Sequence, residues 1–329
     1  MRLDNIDGTE LLKECKDHFV SFALQVYRYQ YEHNELYRRY HEALRIRPDR
    51  VSSLKEIPFL PISFFKTHKV SSTPGKEAEL VFDSSGTTGM IPSKHYVADR
   101  ALYDTVALAG FEQFYGPVAD LTILALLPSY LERSGSSLVH MAQMLMDRSR
   151  QEHNGFYLNE WEELAEKLHV LVKEGRKVLL LGVTFALLDF AEQYPMDLEG
   201  VIVMETGGMK GRKEEWTRAQ VHGFLKERWN LQCVHSEYGM TELLSQAYAT
   251  ADGIFTPIPS LRALVRDVQD PLDTSLQGIG ALNIIDLANI HSCSFIATED
   301  MAKVYVDGTF EVLGRMDFAA LRGCSLMAP

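Results

Sequence analysis

The chain contains the run Phe82-Asp83-Ser84-Ser85-Gly86-Thr87-Thr88-Gly89, and Lys94 follows five residues later. Two pairs of hydroxyl side chains flank Gly86, directly after an apolar strand end. Glycine lets backbone N–H groups curl around an anion, and the hydroxyls add donors for phosphate oxygens. Lys94 can add a compact positive charge, although no Gly-Lys-Ser/Thr closes the run as in a Walker P-loop. The run therefore favours a loop that binds nucleotide phosphates, the alternative being an ordinary flexible loop.

Length and composition limit the class of protein. The 329 residues are 46% hydrophobic and 24% charged, which is typical of a globular protein with one large domain or two. The net charge of −12 and the lack of a basic stripe argue against a nucleic-acid partner. No signal-peptide core is apparent, and the longest apolar run, at residues 121–127, is too short to span a membrane. We therefore expect a cytoplasmic protein without a membrane span.

The cysteines give no sign of a disulfide framework or a zinc site. They are widely spaced and form no Cys-x-x-Cys pair; they are Cys15, Cys233, Cys293 and Cys324. Cys233 and His235 could form a nucleophile–base pair, but alternate residues of a strand more simply share one face of the core.

The order of patterns along the chain predicts an α/β fold. Residues 9–45 show helical periodicity, and the proline-rich residues 57–65 are expected to be extended rather than helical. Strands then alternate with helices, and glycines follow the strands, which indicates a largely parallel sheet with ligands at the carboxyl ends of its strands. From about residue 256 short strands dominate, and Asp307-Gly308 predicts a hairpin.

This organisation suggests four regions. They are an N-terminal helical segment packed on the core (1–75), an α/β core (76–255), a β-rich sub-domain (256–313) and a short tail (314–329).

Three later segments carry residues that suit a nucleotide. In Glu237-Tyr238-Gly239-Met240-Thr241-Glu242, the tyrosine could stack on a base, worth about 1–3 kcal/mol, and Glu242 could bind Mg²⁺. Alternatively, this segment is a turn that caps a helix, with Tyr238 in the core. Asp300 suits a ribose diol or a simple turn, and Arg315 suits a phosphate, a ribose or a surface turn.

In their order and spacing these motifs resemble those of the adenylate-forming superfamily, which includes acyl-CoA synthetases and firefly luciferase. The resemblance covers roughly residue 80 to the C-terminus. It implies a large domain of mostly parallel sheets flanked by helices, with ATP and Mg²⁺ as cofactors. It places the phosphates at Ser84–Gly89 with Lys94, and the edge of the adenine at Glu205-Thr206-Gly207-Gly208. Tyr238, Gly239 and Thr241 would hold adenine, Glu242 the metal, Asp300 the ribose, and Arg315 would belong to the hinge motif.

Within that superfamily the chain looks like the phenylacetate-CoA ligase branch, and especially like the LuxE-type acyl-protein synthetases. The segments that carry this likeness are Asp83-Ser84-Ser85-Gly86-Thr87-Thr88-Gly89, Leu127-Pro128-Ser129-Tyr130-Leu131-Glu132-Arg133, Asp286-Leu287-Ala288-Asn289 and Leu321-Arg322-Gly323-Cys324-Ser325. About fifteen residues follow Gly314, so we expect the usual small C-terminal domain, with its adenylation lysine, to be absent. Lys94 or Lys210 would then serve as the catalytic phosphate ligand. The resemblance makes Cys324 the thiol that receives the acyl group.

The resemblance implies that the chain converts a carboxylic acid to an acyl-adenylate, and a fatty acid is the favoured substrate. The acyl group would pass to Cys324 and then to a partner such as an acyl reductase or an acyl-carrier protein. Two alternatives are a CoA ligase of the phenylacetate type and a degenerate module that binds acyl nucleotides without chemistry.

Overall fold

The computed structural model describes residues 3–84, 91–128, 135–207 and 216–316. The helices are Gly8–His33 (α1), Glu35–Leu44 (α2), Phe64–Thr67 (α3), Arg100–Tyr115 (α4), Ser137–Ser149 (α5), Trp161–Lys173 (α6), Thr184–Gln193 (α7) and Arg218–Trp229 (α8). Short 3-10 turns occupy Leu3–Asn5, Pro48–Arg50, Leu54–Glu56, Val118–Asp120 and Leu287–Asn289.

The strands, in chain order, are Leu60–Pro61 (β1), Leu80–Asp83 (β2), Lys94–Val97 (β3), Thr122–Leu126 (β4), Gly155–Tyr157 (β5), Val178–Val183 (β6), Ile202–Thr206 (β7), His235–Tyr238 (β8), Ala247–Ala249 (β9), Thr256–Pro257 (β10), Leu261–Arg266 (β11), Thr274–Ser275 (β12), Gly278–Asp286 (β13), Phe295–Val304 (β14) and Phe310–Arg315 (β15).

The first large sheet is the predicted parallel one. Its strand order is β10-β9-β8-β7-β6-β4-β5, and neighbours from β5 to β8 run parallel, whereas β9 and β10 are antiparallel. All residues of β4 and β6 are buried, as their continuous apolar sequence predicts for strands covered on both faces. Tyr238 and Gly207 therefore stand at neighbouring carboxyl ends of this sheet.

The second large sheet is antiparallel for most of its width. Its order is β1-β14-β13-β11-β12, with β15 also paired to β14, and only the β1–β14 pair is parallel. The hairpin predicted at Asp307-Gly308 joins β14 to β15. Strand β1 comes from the N-terminal segment, so that segment contributes to the sheet as well as packing on it. A separate two-stranded hairpin, β2–β3, flanks the hydroxyl-rich loop.

Two local predictions are wrong in detail. The helix expected over residues 9–45 is two helices, because the Asn34 side chain accepts the Tyr37 N–H as the N-cap of α2. Phe64 and Phe65 are helical, not extended, because they begin α3 beyond Pro61, where proline no longer removes an intrahelical donor.

The N-terminal helices hold the loop between β13 and β14. Gln30 of α1 donates to the carbonyl oxygens of Asn289 (2.9 Å) and Ile290 (3.0 Å), and it accepts the Ser294 N–H at 2.9 Å. Asn34 donates to the Ser292 carbonyl at 3.0 Å. These buried bonds satisfy the loop backbone and fix its position.

Among the helices of the described ranges, none combines the length and the apolar composition that a membrane span requires.

Candidate active site

The described residues of the predicted site stand on or directly beside five elements, counting the β2–β3 hairpin as one. Ser84 and Lys94 belong to the β2–β3 hairpin, Tyr238 ends β8 and precedes Gly239, Thr241 and Glu242, Asp300 lies in β14, and Arg315 ends β15. Gly207 directly follows β7 with φ of +77°, a conformation that favours glycine. The other predicted residues lie outside the described residues; they are Ser85, Gly86, Thr87, Thr88, Gly89, Gly208, Lys210 and Cys324.

Tyr238, Asp300 and Arg315 come together although they are distant in sequence. The Tyr238 hydroxyl donates to Asp300 Oδ2 at 2.9 Å, and Arg315 Nε lies 3.7 Å from Asp300 Oδ1. Asp300 and Arg315 are also direct partners in the β14–β15 register. Burial raises the pKa of Asp300, while the Tyr238 hydroxyl and the Arg315 charge oppose that rise. The two large sheets therefore meet at a carboxylate with two polar partners.

The Tyr238 ring lies largely in the core. It is 8% exposed and packs against Phe255 and Phe310, with ring centroids 5.8 and 5.4 Å away. This packing agrees with the alternative weighed for Tyr238 from the sequence. Its stacking on adenine stays a prediction.

We expect Tyr238→Phe to lower the free energy of unfolding by about 2 kcal/mol, because the buried Asp300 carboxylate loses its hydroxyl donor. Urea denaturation measures the change. Tyr305→Phe is a matched control, since Tyr305 donates to Glu311 near the hairpin tip, where solvent can replace the hydroxyl. A loss in Tyr238→Phe no greater than in the control would contradict the prediction.

The hairpin beside the hydroxyl-rich loop lies against the segment after Tyr238. Ser84 and Ser93 exchange bonds across the hairpin: the Ser84 N–H donates to the Ser93 carbonyl at 3.0 Å, and the Ser93 N–H donates to Ser84 Oγ at 2.8 Å. One residue beyond Lys94, His95 Nδ1 lies 2.9 Å from the Thr241 carbonyl oxygen. Lys94 itself is exposed. The ends of the phosphate-loop candidate and the turn that carries Glu242 are therefore neighbours.

Glu242 is a buried carboxylate and the candidate ligand for a metal ion. It is 5% exposed; burial raises its pKa, opposed by the Ser93 hydroxyl and by the charges of Lys66 and Arg315. Within the described ranges, no group of three or more acidic, histidine or cysteine side chains could hold a metal by itself. Magnesium commonly takes one or two carboxylates together with substrate phosphates, so a lone Glu242 fits such an ion.

Two buried carboxylates, Glu205 and Glu237, each lie one residue before the end of β7 and β8, respectively. Arg218 Nε lies 3.1 Å from Glu205, and the Thr184 hydroxyl donates to the same carboxylate at 2.8 Å. Thr206 donates to Glu237 at 2.5 Å; burial, together with the Glu205 charge, raises the pKa of Glu237 to about 7. The sequence resemblance places the segment of Glu205 and Thr206 beside adenine. The sequence indicates no role for Thr184, Arg218 or Glu237.

Asp286 stabilises the turn that carries Glu242 by accepting hydrogen bonds from the residues that follow it. Its fully buried carboxylate accepts the N–H groups of Leu244 (2.7 Å) and Ser245 (3.0 Å) and the Ser245 hydroxyl. Asn289, three residues on, donates to the Glu242 carbonyl at 2.8 Å. The sequence singled out Asp286-Leu287-Ala288-Asn289 only as a family-like segment and gave it no function.

Cys233 and His235 are in contact, as residues that share a strand face can be. Cys233 Sγ lies 3.6 Å from His235 Nε2, and the Tyr115 hydroxyl lies 3.4 Å from His235 Nδ1. His235 begins β8, whereas Tyr238 ends it, so this pair stands at the opposite end of the strand from the predicted site.

Sequence comparison places the chain beside known ligases. Residues 7–107 match the family model described as acyl-protein synthetase, LuxE. The chain is 22% identical over 341 residues to a long-chain-fatty-acid–luciferin-component ligase of Aliivibrio fischeri, which covers 95% of this chain and 88% of that protein. A ligase of the same name from Photorhabdus luminescens is 34% identical over 68 residues, or 21% of this chain and 58% of that protein.

Over residues 7–107 the chain is similar to the LuxE acyl-protein synthetases. The family match includes α1, α2 and the β2–β3 hairpin, and so extends to the N-terminal side of the resemblance seen in the sequence motifs.

Solved structures support the predicted fold class of this chain. MatB from Rhodopseudomonas palustris, solved with ATP, matches with a TM-score of 0.55 at 15% identity, over 74% of this chain and 49% of that one. A long-chain-fatty-acid–CoA ligase from Archaeoglobus fulgidus matches with a TM-score of 0.54 at 16% identity, over 77% and 54%. The chain thus spans about half the length of these solved structures. Its fold is that of the adenylate-forming enzymes, as predicted.

Proposed function

We propose that the chain activates a fatty acid with ATP, giving an acyl-adenylate and pyrophosphate. The observation that carries the proposal is the convergence of two corners, one formed by Tyr238, Asp300 and Arg315, the other by Glu242 beside the hairpin that bears Lys94. Both corners adjoin the short segment from Tyr238 to Glu242. The similarity to a fatty-acid ligase over most of that ligase's length supports the choice of acid.

In the first step, a carboxylate oxygen of the acid attacks the α-phosphorus of ATP. A new P–O bond forms, the α–β phosphoanhydride bond breaks, and pyrophosphate departs with the electron pair. Residues 84–89, together with Lys94 or Lys210, would stabilise the charge on the departing pyrophosphate. Asp300, with Tyr238 and Arg315 around it, would hold the ribose, and Gly207 and Gly208 would flank the adenine.

Magnesium, when bound, would neutralise phosphate charge and orient the phosphates for in-line displacement. Glu242 would supply the protein ligand. Its neighbours Ser93, Lys66 and Arg315 favour the ionised form that a metal ligand requires.

In the second step, the Cys324 thiolate attacks the acyl carbonyl carbon. A thioester bond forms, the C–O bond to the adenylate phosphate breaks, and AMP leaves. Splitting activation from transfer in this way lowers each barrier. The acyl group would then pass to a partner protein, an acyl reductase or an acyl carrier.

Isotope exchange between pyrophosphate and ATP tests the first step. The full chain is assayed with fatty acids of several lengths and with aromatic acids, each with and without CoA. We expect exchange that depends on a fatty acid, with intact-protein mass spectrometry showing one added acyl mass. Acyl-CoA without self-acylation would instead identify a CoA ligase, and no exchange with any acid would identify a binding module.

We expect Glu242→Gln to lower the exchange rate about 100-fold, because a neutral amide is a poor ligand for a hard cation. Raising the Mg²⁺ concentration should recover part of the loss. Glu227→Gln, at an exposed site on α8, is the matched control and should leave exchange unchanged. An unchanged rate in Glu242→Gln would remove this residue from the metal site.

A further inference from the structure

A small cavity lies between the β2–β3 hairpin and the loop that follows β13. Its volume is about 10 Å³, and its lining includes His95, Asn289 and His291. His95 and Asn289 are fully buried and His291 is 6% exposed. His95 Nε2, Asn289 Oδ1 and His291 Nδ1 have no hydrogen-bond partner among the described residues. Buried polar atoms are nearly always paired, so three unpaired atoms on residues that line one cavity indicate a ligand.

The hydrogen bond on the other side of the His95 ring makes Nε2 an acceptor. The Thr241 carbonyl oxygen can only accept, so His95 Nδ1 carries the hydrogen of that 2.9 Å bond. Burial lowers the pKa of His95 to about 4, against the opposing effects of the Thr241 carbonyl and the Asn289 amide. His95 is therefore neutral near pH 7, and Nε2 presents a lone pair.

The orientation of Asn289 is fixed in the same way. Its Nδ2 donates to the Glu242 carbonyl at 2.8 Å and to Asp286 Oδ2 at 3.3 Å, and both of these atoms are acceptors. The amide oxygen Oδ1 therefore takes the remaining position. His95 Nε2 and Asn289 Oδ1 are both acceptors, so they cannot satisfy each other.

We propose that this cavity binds one water molecule that donates to His95 Nε2 and Asn289 Oδ1 and accepts from His291 Nδ1–H. A water molecule fits because it supplies the two donors that the two acceptors require. A cavity of about 10–15 Å³ is large enough to hold one water molecule. The third partner requires only that His291 adopt the tautomer with the hydrogen on Nδ1.

The bound water joins two elements behind the Glu242 turn. One is β3, which follows the hydroxyl-rich loop, and the other is the loop that Gln30 holds in place. His95 and Asn289 also contact the carbonyl groups of Thr241 and Glu242 directly. His95, Asn289 and His291 are therefore positioning residues for Glu242, a role that rests on the proposed function.

A crystal structure of the full wild-type chain at about 1.5 Å resolution tests the site without any activity measurement. We expect a density peak about 2.6–3.2 Å from each of the three atoms. Direct contact of Nε2 with Oδ1 would show a protonated His95 and overturn the proposal, as would the absence of density. An anomalous peak at this position after a rubidium soak would show that the cavity binds a monovalent cation rather than water, and would overturn the proposal.

A matched pair of variants at His291 separates the water contact from packing. In His291→Asn the amide nitrogen can take the place of Nδ1, whereas His291→Phe keeps a ring but removes the donor. We expect His291→Phe to raise the KM for MgATP in pyrophosphate exchange at least threefold, with kcat changed less than twofold, and His291→Asn to stay near wild type. Equal losses in the two variants would overturn the positioning role. A wild-type chain without exchange would sink the proposed function and leave the crystallographic test standing.

Discussion

Replacing Cys324 by serine is expected to abolish covalent acylation of the chain while pyrophosphate exchange stays within about twofold of wild type. A serine hydroxyl at neutral pH is a far weaker nucleophile than a thiolate, so the acyl-adenylate would form but not be transferred. Intact-protein mass spectrometry after incubation with ATP and a fatty acid measures the missing acyl mass. Exchange on the same sample shows that activation persists.

Cys233→Ser is the matched control for that experiment. Cys15 and Cys293 are buried, and burial raises the pKa of both thiols, that of Cys293 to about 12, so they are poor candidates for acylation. Cys233 is only partly buried and lies beside His235. We expect acylation to persist in Cys233→Ser. Acylation that survives in Cys324→Ser and disappears in Cys233→Ser would move the acceptor to Cys233.

The parts of the fold that rest on local chemistry could be predicted from the sequence. The alternation of strands and helices predicted a largely parallel sheet, and Asp307-Gly308 predicted a hairpin, because each of these signals lies within short stretches of sequence. The helical pattern over residues 9–45 contains a polar break, but it did not predict that two separate helices meet at Asn34. Asn34 ends one helix and caps the next, while its amide donates to Ser292, far away in sequence.

The candidate site divides in the same way. Motif order brought Tyr238, Asp300, Arg315 and Glu242 into one hypothesis, and the structure places Asp300 in contact with both Tyr238 and Arg315. The groups that support them could not be recognised, since a buried aspartate or histidine looks like any other until its partner is known. His95 contacts Thr241, 146 residues away. Such pairs are properties of the tertiary structure.

The largest effect on stability is expected at Asp286. Its carboxylate accepts from the N–H groups of Leu244, Ser245 and Ala288, from the Ser245 hydroxyl and from the Asn289 amide. Burial raises the pKa of Asp286, and the donors oppose that rise. Asp286→Ala would leave several buried donors without an acceptor, at a cost of about 3–5 kcal/mol in the free energy of unfolding. Urea denaturation gives that value, and an unchanged m-value would show that the denatured state is unaffected.

Asp267→Ala is the matched control for Asp286→Ala, because Asp267 also accepts two backbone N–H groups but does so in an exposed turn. There, water replaces the carboxylate, and we expect a loss below about 1 kcal/mol. Asp286→Asn separates charge from shape: its amide would point a donor at groups that already donate, so it should recover little of the stability. A loss of unfolding free energy in Asp286→Ala as small as the control's would mean that the Leu244–Ser245 turn is stable without the Asp286 carboxylate. In that case Glu242 would owe its position to His95 and Asn289 alone.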